Sequence, residues 1–254
     1  MAEPRPDPIY IEPKVAPPSS EQASAVIFIH GLSDRGESFR GKPNPPLSPF
    51  TTKLLLVEHY QSADKLPHTL WVLPTADYFG DPPVRAWYRR PTLVPERALE
   101  PATDDDYEGI MASCAYILAI VRHLESARGI PASRVAVGGF SQGCALSLVL
   151  GLASSYAGRF AGIFGLMGYL PLRARLDAIR GEQGGRAVVD QPVMVARGRS
   201  DEFLAKWYHE ACWKTLGGMG IRKMDVHEYD VGHTVLGMEV RRDLCSFLEE
   251  RCGF

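Results

Sequence analysis

Six apolar runs, each closed by turn-forming residues, punctuate the chain at 25–29 (AVIFI), 69–74 (TLWVLP), 134–140 (RVAVGGF), 161–168 (AGIFGLMG), 192–198 (PVMVARG) and 223–229 (KMDVHEY). Their length and bounding turn residues predict strands, most of them buried on both faces. Between them the apolar period changes from continuous to helical. Ile110, Cys114, Ile117, Leu118, Val121 and Leu124 fall on one helix face, with Asp104–Asp106 placed to cap its start, and Leu236, Val240, Leu244, Phe247 and Leu248 mark a last helix. Strand and helix alternate along the chain, which predicts an α/β fold with a mostly parallel sheet and helices on both faces.

Proline breaks this rhythm in three places. Residues 1–22 carry prolines at 4, 6, 8, 13, 17 and 18, so they are expected to form an extended arm with a short edge strand at 9–12, ahead of one domain over 23–254. The segments 38–50 and 77–106 are proline-rich and aperiodic, follow strand ends on the side where open α/β sheets bind ligands, and are expected to wall a pocket. A length of 254 residues, 45% hydrophobic, suits one large domain. The formal charge of −2 provides no basic field for a polyanion, so nucleic acid is not an expected partner. The first residues lack the apolar stretch of a signal peptide and no run of about 18 apolar residues occurs, so a soluble, cytoplasmic protein without a transmembrane segment is expected. Five cysteines without paired spacing point to reduced thiols, and no H-x-x-x-H or H-x-x-E-H spacing suggests a metal.

Candidate chemistry centres on Gly139-Phe140-Ser141-Gln142-Gly143, a G-x-S-x-G pattern between a buried strand and an Ala/Leu-rich helix. A strand-to-helix elbow of this kind pushes the serine hydroxyl outward, and glycines two positions to either side avoid collisions with neighbouring elements. A plain helix cap at Ser141 is the alternative, and it leaves both glycines unexplained. A serine hydroxyl needs a base, and the base needs a carboxylate to fix its tautomer. His233 in "YDVGHTVLG" follows the last strand and precedes the last helix, as that base should; His123, His209 and His227 fall within helix or strand patterns. Asp201 in "ARGRSDEFL" suits the carboxylate, with Glu202 and Asp230 as rivals. Backbone donors for an oxyanion are expected from Gln142, the residue after the serine, and from Leu32 in "FIHGLSD", where Gly31 could supply unusual dihedrals and His30 could hold the loop.

The ordered set "FIHGLSD", "GGFSQGCALSL", "GLMGYLPLR", the turn at 198–201 and "GHTV" resembles the acyl-protein thioesterase and carboxylesterase family of α/β hydrolases, from about residue 23 to 248. The resemblance implies an α/β-hydrolase fold without a large cap domain. It implies Ser141 as nucleophile, Asp201 and His233 as partners, the amides of Leu32 and Gln142 as oxyanion hole, and no metal or organic cofactor. The expected reaction is hydrolysis of a carboxylic ester or thioester through an acyl-serine, on an acylated protein or lysolipid, by a monomer or weak homodimer. A hydrolase or cyclase of a specialised metabolite is the alternative, and a ligand-binding protein that retains the triad is a further one. Cys144, Met167 and Arg197 depart from the family pattern, as does the insertion at 42–49. By the same resemblance Trp87, beside Tyr88, is expected to line the acyl channel, with plain packing as the alternative; Leu32, Leu73, Met167, Leu170 and Phe203 could supply further apolar wall or be core. Arg85, Arg89, Arg90 and Arg97 could meet an anionic substrate or lipid surface, or be solvated loop charges.

Overall fold

A computed structural model describes residues 5–40, 56–81, 83–89 and 106–254. Seven strands form one sheet: β1 (Ile9–Ile11), β2 (Ser24–Ile29), β3 (Thr69–Leu73), β6 (Val135–Phe140), β7 (Gly162–Leu166), β8 (Val193–Gly198) and β9 (Met224–Tyr229). Their spatial order is β1-β3-β2-β6-β7-β8-β9, and every pairing is parallel except that of β1 with β3. The six long apolar runs become strands to within two residues at each end.

Alternate residues of these strands feed two separate cores. Ala25, Ile27, Ile29, Val135, Val137, Ile163, Val193 and Val195 face one side, where they meet α2 (Tyr107–Arg128), α3 (Gln142–Ala153), α4 (Leu176–Glu182) and α5 (Lys206–Gly218). Val26, Phe28, Ala136, Phe140, Phe164, Leu166, Met194 and Ala196 face the other, against α1 (Leu56–Ser62), α6 (Met238–Ser246) and the turn Phe247–Arg251 that continues it. Burial on both faces explains why β2, β3, β6, β7 and β8 lack polar alternation, whereas the half-exposed edge strand β9 reads MDVHEY. This is the α/β-hydrolase architecture, and no large cap covers it among the described residues.

Helix α2 begins where Asp106 accepts a hydrogen bond from the Gly109 amide at 3.0 Å, and it ends at Gly129, whose φ of +64° is the left-handed closure that glycine adopts freely. Among the described helices only α2 has the length and apolar character to cross a membrane. Ile110, Cys114, Ile117, Val121 and Leu124 are nevertheless buried in the core while Glu108, Arg122 and Arg128 face outward, so α2 is a core helix.

The proline-rich arm is tied into the sheet. β1 is the edge strand predicted there, flanked by Pro8 and Pro13, and Glu12 pairs with Arg128 at 2.6 Å. The aperiodic segment 77–106 holds a hairpin that the pattern did not predict, β4 (Asp77–Phe79) paired antiparallel with β5 (Val84–Ala86). Three-residue strands are too short for periodicity to show. Residues 82 and 90–105 of that segment, and 41–50 of the other, lie outside the described residues.

Candidate active site

Ser141 sits between β6 and α3 with φ +54° and ψ −113°, a conformation that side chains rarely adopt, and its amide donates to the Leu166 carbonyl at 2.8 Å. The flanking glycines are required by close approach. A Cβ on Gly143 would lie 2.0 Å from the Ile29 carbonyl oxygen, and one on Gly139 would lie 2.3 Å from the same atom. The elbow therefore packs directly on the end of β2, beside the 30–33 loop.

Three side chains from three loops line up. Ser141 Oγ is 2.9 Å from His233 Nε2, and His233 Nδ1 is 2.8 Å from Asp201 Oδ2. The Asp201 side chain is 1% exposed, and its Oδ1 accepts the amides of Phe203 and Leu204 at 2.9 and 2.8 Å. Burial pushes the Asp201 carboxyl upward, but the imidazoles of His209 and His233 and the Leu204 amide more than offset it and hold the group well below the usual carboxylate range. The rivals are placed elsewhere: Glu202 accepts the backbone amide of His233 at 3.0 Å, and Asp230 is exposed. Glu202 thus anchors the histidine's main chain while Asp201 meets its ring.

Behind Leu32, His30 is fully buried. Its Nδ1 donates to the Gly31 carbonyl at 2.6 Å and its Nε2 accepts the Ala76 amide at 2.9 Å, so the partners fix the neutral tautomer with the proton on Nδ1. The unusual dihedral expected at Gly31 falls instead on Ser33, with φ +64°, whose amide donates to the Arg85 carbonyl at 2.8 Å. Space is tight at Gly31: a Cβ there would lie 3.0 Å from the Phe140 ring and 3.3 Å from Ser141 Cβ. The Gln142 side chain accepts the Trp87 amide at 2.9 Å and donates to the Tyr88 carbonyl at 2.8 Å, fixing the segment after β5 to the elbow.

A cavity of about 240 Å³ opens at Ser141, lined by Leu32, Tyr88, Phe140, Gln142, Tyr169, Phe203, Leu204, His233 and Thr234. Its walls are mostly apolar, and the hydroxyls of Tyr88 and Tyr169 share a 2.6 Å hydrogen bond there. Of the six residues offered as channel wall, Leu32 and Phe203 are among this lining. Trp87 is fully buried, its indole donating to the His30 carbonyl at 2.9 Å, and the neighbouring Tyr88 faces the cavity instead. Leu73, Met167 and Leu170 are fully buried in the two cores.

The profile of the phospholipase/carboxylesterase family of α/β hydrolases matches residues 11–250. The chain belongs to that family. It is 28% identical over 241 residues to acyl-protein thioesterase 1 of Yarrowia lipolytica, covering 92% of this chain and 94% of that one. It is 29% identical over 228 residues to acyl-protein thioesterase 1 of Gibberella zeae, covering 83% and 88%. In fold it resembles the crystal structure of Zea mays acyl-protein thioesterase 2 with a TM-score of 0.70 at 20% identity, over 97% of this chain and 99% of that one. The Bacillus cereus carboxylesterase gives 0.67 at 12% identity, over 96% and 93%.

Two of the departures from the family pattern, Cys144 and Arg197, are accommodated by packing. Cys144 is buried against Gly165 and Gly168, and burial pushes its thiol far up, which makes it inert as a nucleophile. Arg197 is buried and donates to Glu228 at 2.9 Å across β8 and β9. In the basic cluster, Arg85 donates to the Ala76 carbonyl at 2.8 Å and stacks 4.0 Å from the Tyr78 ring, which makes it part of the hairpin; Arg90 and Arg97 lie outside the described residues.

Proposed function

We propose that this family member hydrolyses carboxylic esters or thioesters through an acyl-serine on Ser141. The observation that carries this reading is the unbroken chain from Ser141 Oγ to His233 to the buried Asp201 carboxylate, at 2.9 and 2.8 Å, opening onto an apolar cavity. His233 Nε2 takes the serine proton as Oγ attacks the acyl carbonyl, and Asp201 keeps the proton on Nδ1 and stabilises the imidazolium that forms. The amides of Leu32 and Gln142 take the developing oxyanion; both residues line the cavity beside Ser141. His233 returns its proton to the leaving alcohol or thiol. It then deprotonates the water that releases the acid.

The mostly apolar lining favours a hydrocarbon acyl group, and the names of the fungal relatives favour a thioester on an acylated protein, handled in the cytoplasm. The test is turnover of p-nitrophenyl esters and acyl thioesters of graded chain length by the protein and its Ser141→Ala variant, with fluorophosphonate labelling alongside. Labelling and turnover confined to the unsubstituted protein are expected, with thioesters preferred. A Ser141→Ala variant that retains turnover overturns the mechanism, and turnover of oxygen esters only overturns the thioester assignment.

A further inference from the structure

Asp201 Oδ2 faces a second histidine. His209, in the first turn of α5, has a side chain 2% exposed, and its Nε2 stands 3.8 Å from Asp201 Oδ2. That nitrogen is buried and has no hydrogen-bond partner among the described residues, a costly state for a polar atom unless its neighbour uses it. The carboxylate is otherwise engaged on Oδ1 by two amides and on Oδ2 by His233. Oδ2 is the oxygen on which charge must be held when His233 becomes an imidazolium.

We propose that His209 is a positioning residue for the reaction assigned above: it carries its proton on Nε2, directs that N–H at Asp201 Oδ2, and holds the carboxylate ionised and aligned on His233. A neutral N–H dipole suits this place. It favours the carboxylate without supplying a positive charge that would compete with His233 for it. No bond is made or broken by His209, and the serine proton never reaches it.

The inference rests on the triad reading, and its test separates the two. Long-range 15N–1H correlation on the unsubstituted protein should show His209 protonated on Nε2 and not on Nδ1; the opposite tautomer overturns the proposal without recourse to any variant. On p-nitrophenyl butyrate, His209→Phe should lose about tenfold in kcat with KM changed less than about twofold, as expected for removal of one contact to a charged group. His209→Gln, which keeps an N–H at that reach, should recover most of the loss. The low-field proton between His233 and Asp201 should move in the Phe variant and return in the Gln variant. Full kcat and an unmoved resonance in His209→Phe overturn the proposal while leaving the triad standing. Turnover by Ser141→Ala would overturn the triad itself.

Discussion

Replacing Gln142 by alanine separates two jobs that one residue combines. Its backbone amide is the proposed oxyanion donor, while its side chain bridges the Trp87 amide and the Tyr88 carbonyl at 2.9 and 2.8 Å in a buried setting. Alanine keeps the backbone and deletes the bridge. Losing the hydrogen bond to the Tyr88 carbonyl costs about 1 kcal/mol, and stranding the buried Trp87 N–H costs about 1–3 kcal/mol. The sum is about 2–4 kcal/mol, a large part of the roughly 5–15 kcal/mol that holds a domain of ordinary stability. Urea unfolding read by tryptophan fluorescence should therefore show a midpoint markedly lower at unchanged slope. Turnover under native conditions should fall much less than the ~100-fold that follows loss of an oxyanion donor. An unchanged midpoint, or a loss of kcat of that size without any loss of stability, refutes the division of labour.

Asp201→Asn should lower kcat by roughly 10³–10⁴-fold, because an amide can stabilise the wrong tautomer of His233. The depressed Asp201 carboxyl also contributes stability that is complete above its unfolded value of about 4 and is lost as pH falls through the folded value, so urea midpoints of wild type and Asp201→Asn should converge only below about pH 4; a gap constant down to pH 2 would contradict the assignment. Gly143→Ala places a methyl 2.0 Å from the Ile29 carbonyl and 2.6 Å from that of His30, both rigid backbone, and should cost about 3 kcal/mol or more or yield insoluble protein; near-native unfolding would disprove the close packing. Phe203→Ala, at a residue 42% exposed on the cavity rim, should change chain-length preference with little change in stability, whereas Trp87→Ala should cost about 3–5 kcal/mol without changing preference; the reverse pattern would reinstate Trp87 as channel wall.

Strands were legible in the sequence because a parallel strand covered on both sides must be apolar throughout, and the elbow because its two glycines answer to one carbonyl, that of Ile29. What remained hidden depends on register or on turns. Trp87 and Tyr88 are adjacent in the bend after β5, and only the folded bend decides which of them meets the cavity. Glu202 and Asp201 both head the loop before α5, and only the folded turn shows one reaching the ring of His233 and the other its amide. The sequence placed His209 only within a helix or strand pattern. No spacing rule says that eight residues after Asp201 the chain returns to the same carboxylate. The β4–β5 hairpin was hidden by its brevity.

The backbone at Ser141 carries a cost that persists through every turnover. A side-chain-bearing residue at φ +54° and ψ −113° stores on the order of 1–3 kcal/mol, and glycine at that position would shed most of it while, on the proposed mechanism, ending the chemistry. Heat resistance and activity are thus opposed at this single position. A library of this protein ranked by thermal survival alone would drift toward well-folded, silent variants, so selection for robustness has to be coupled to turnover in every round.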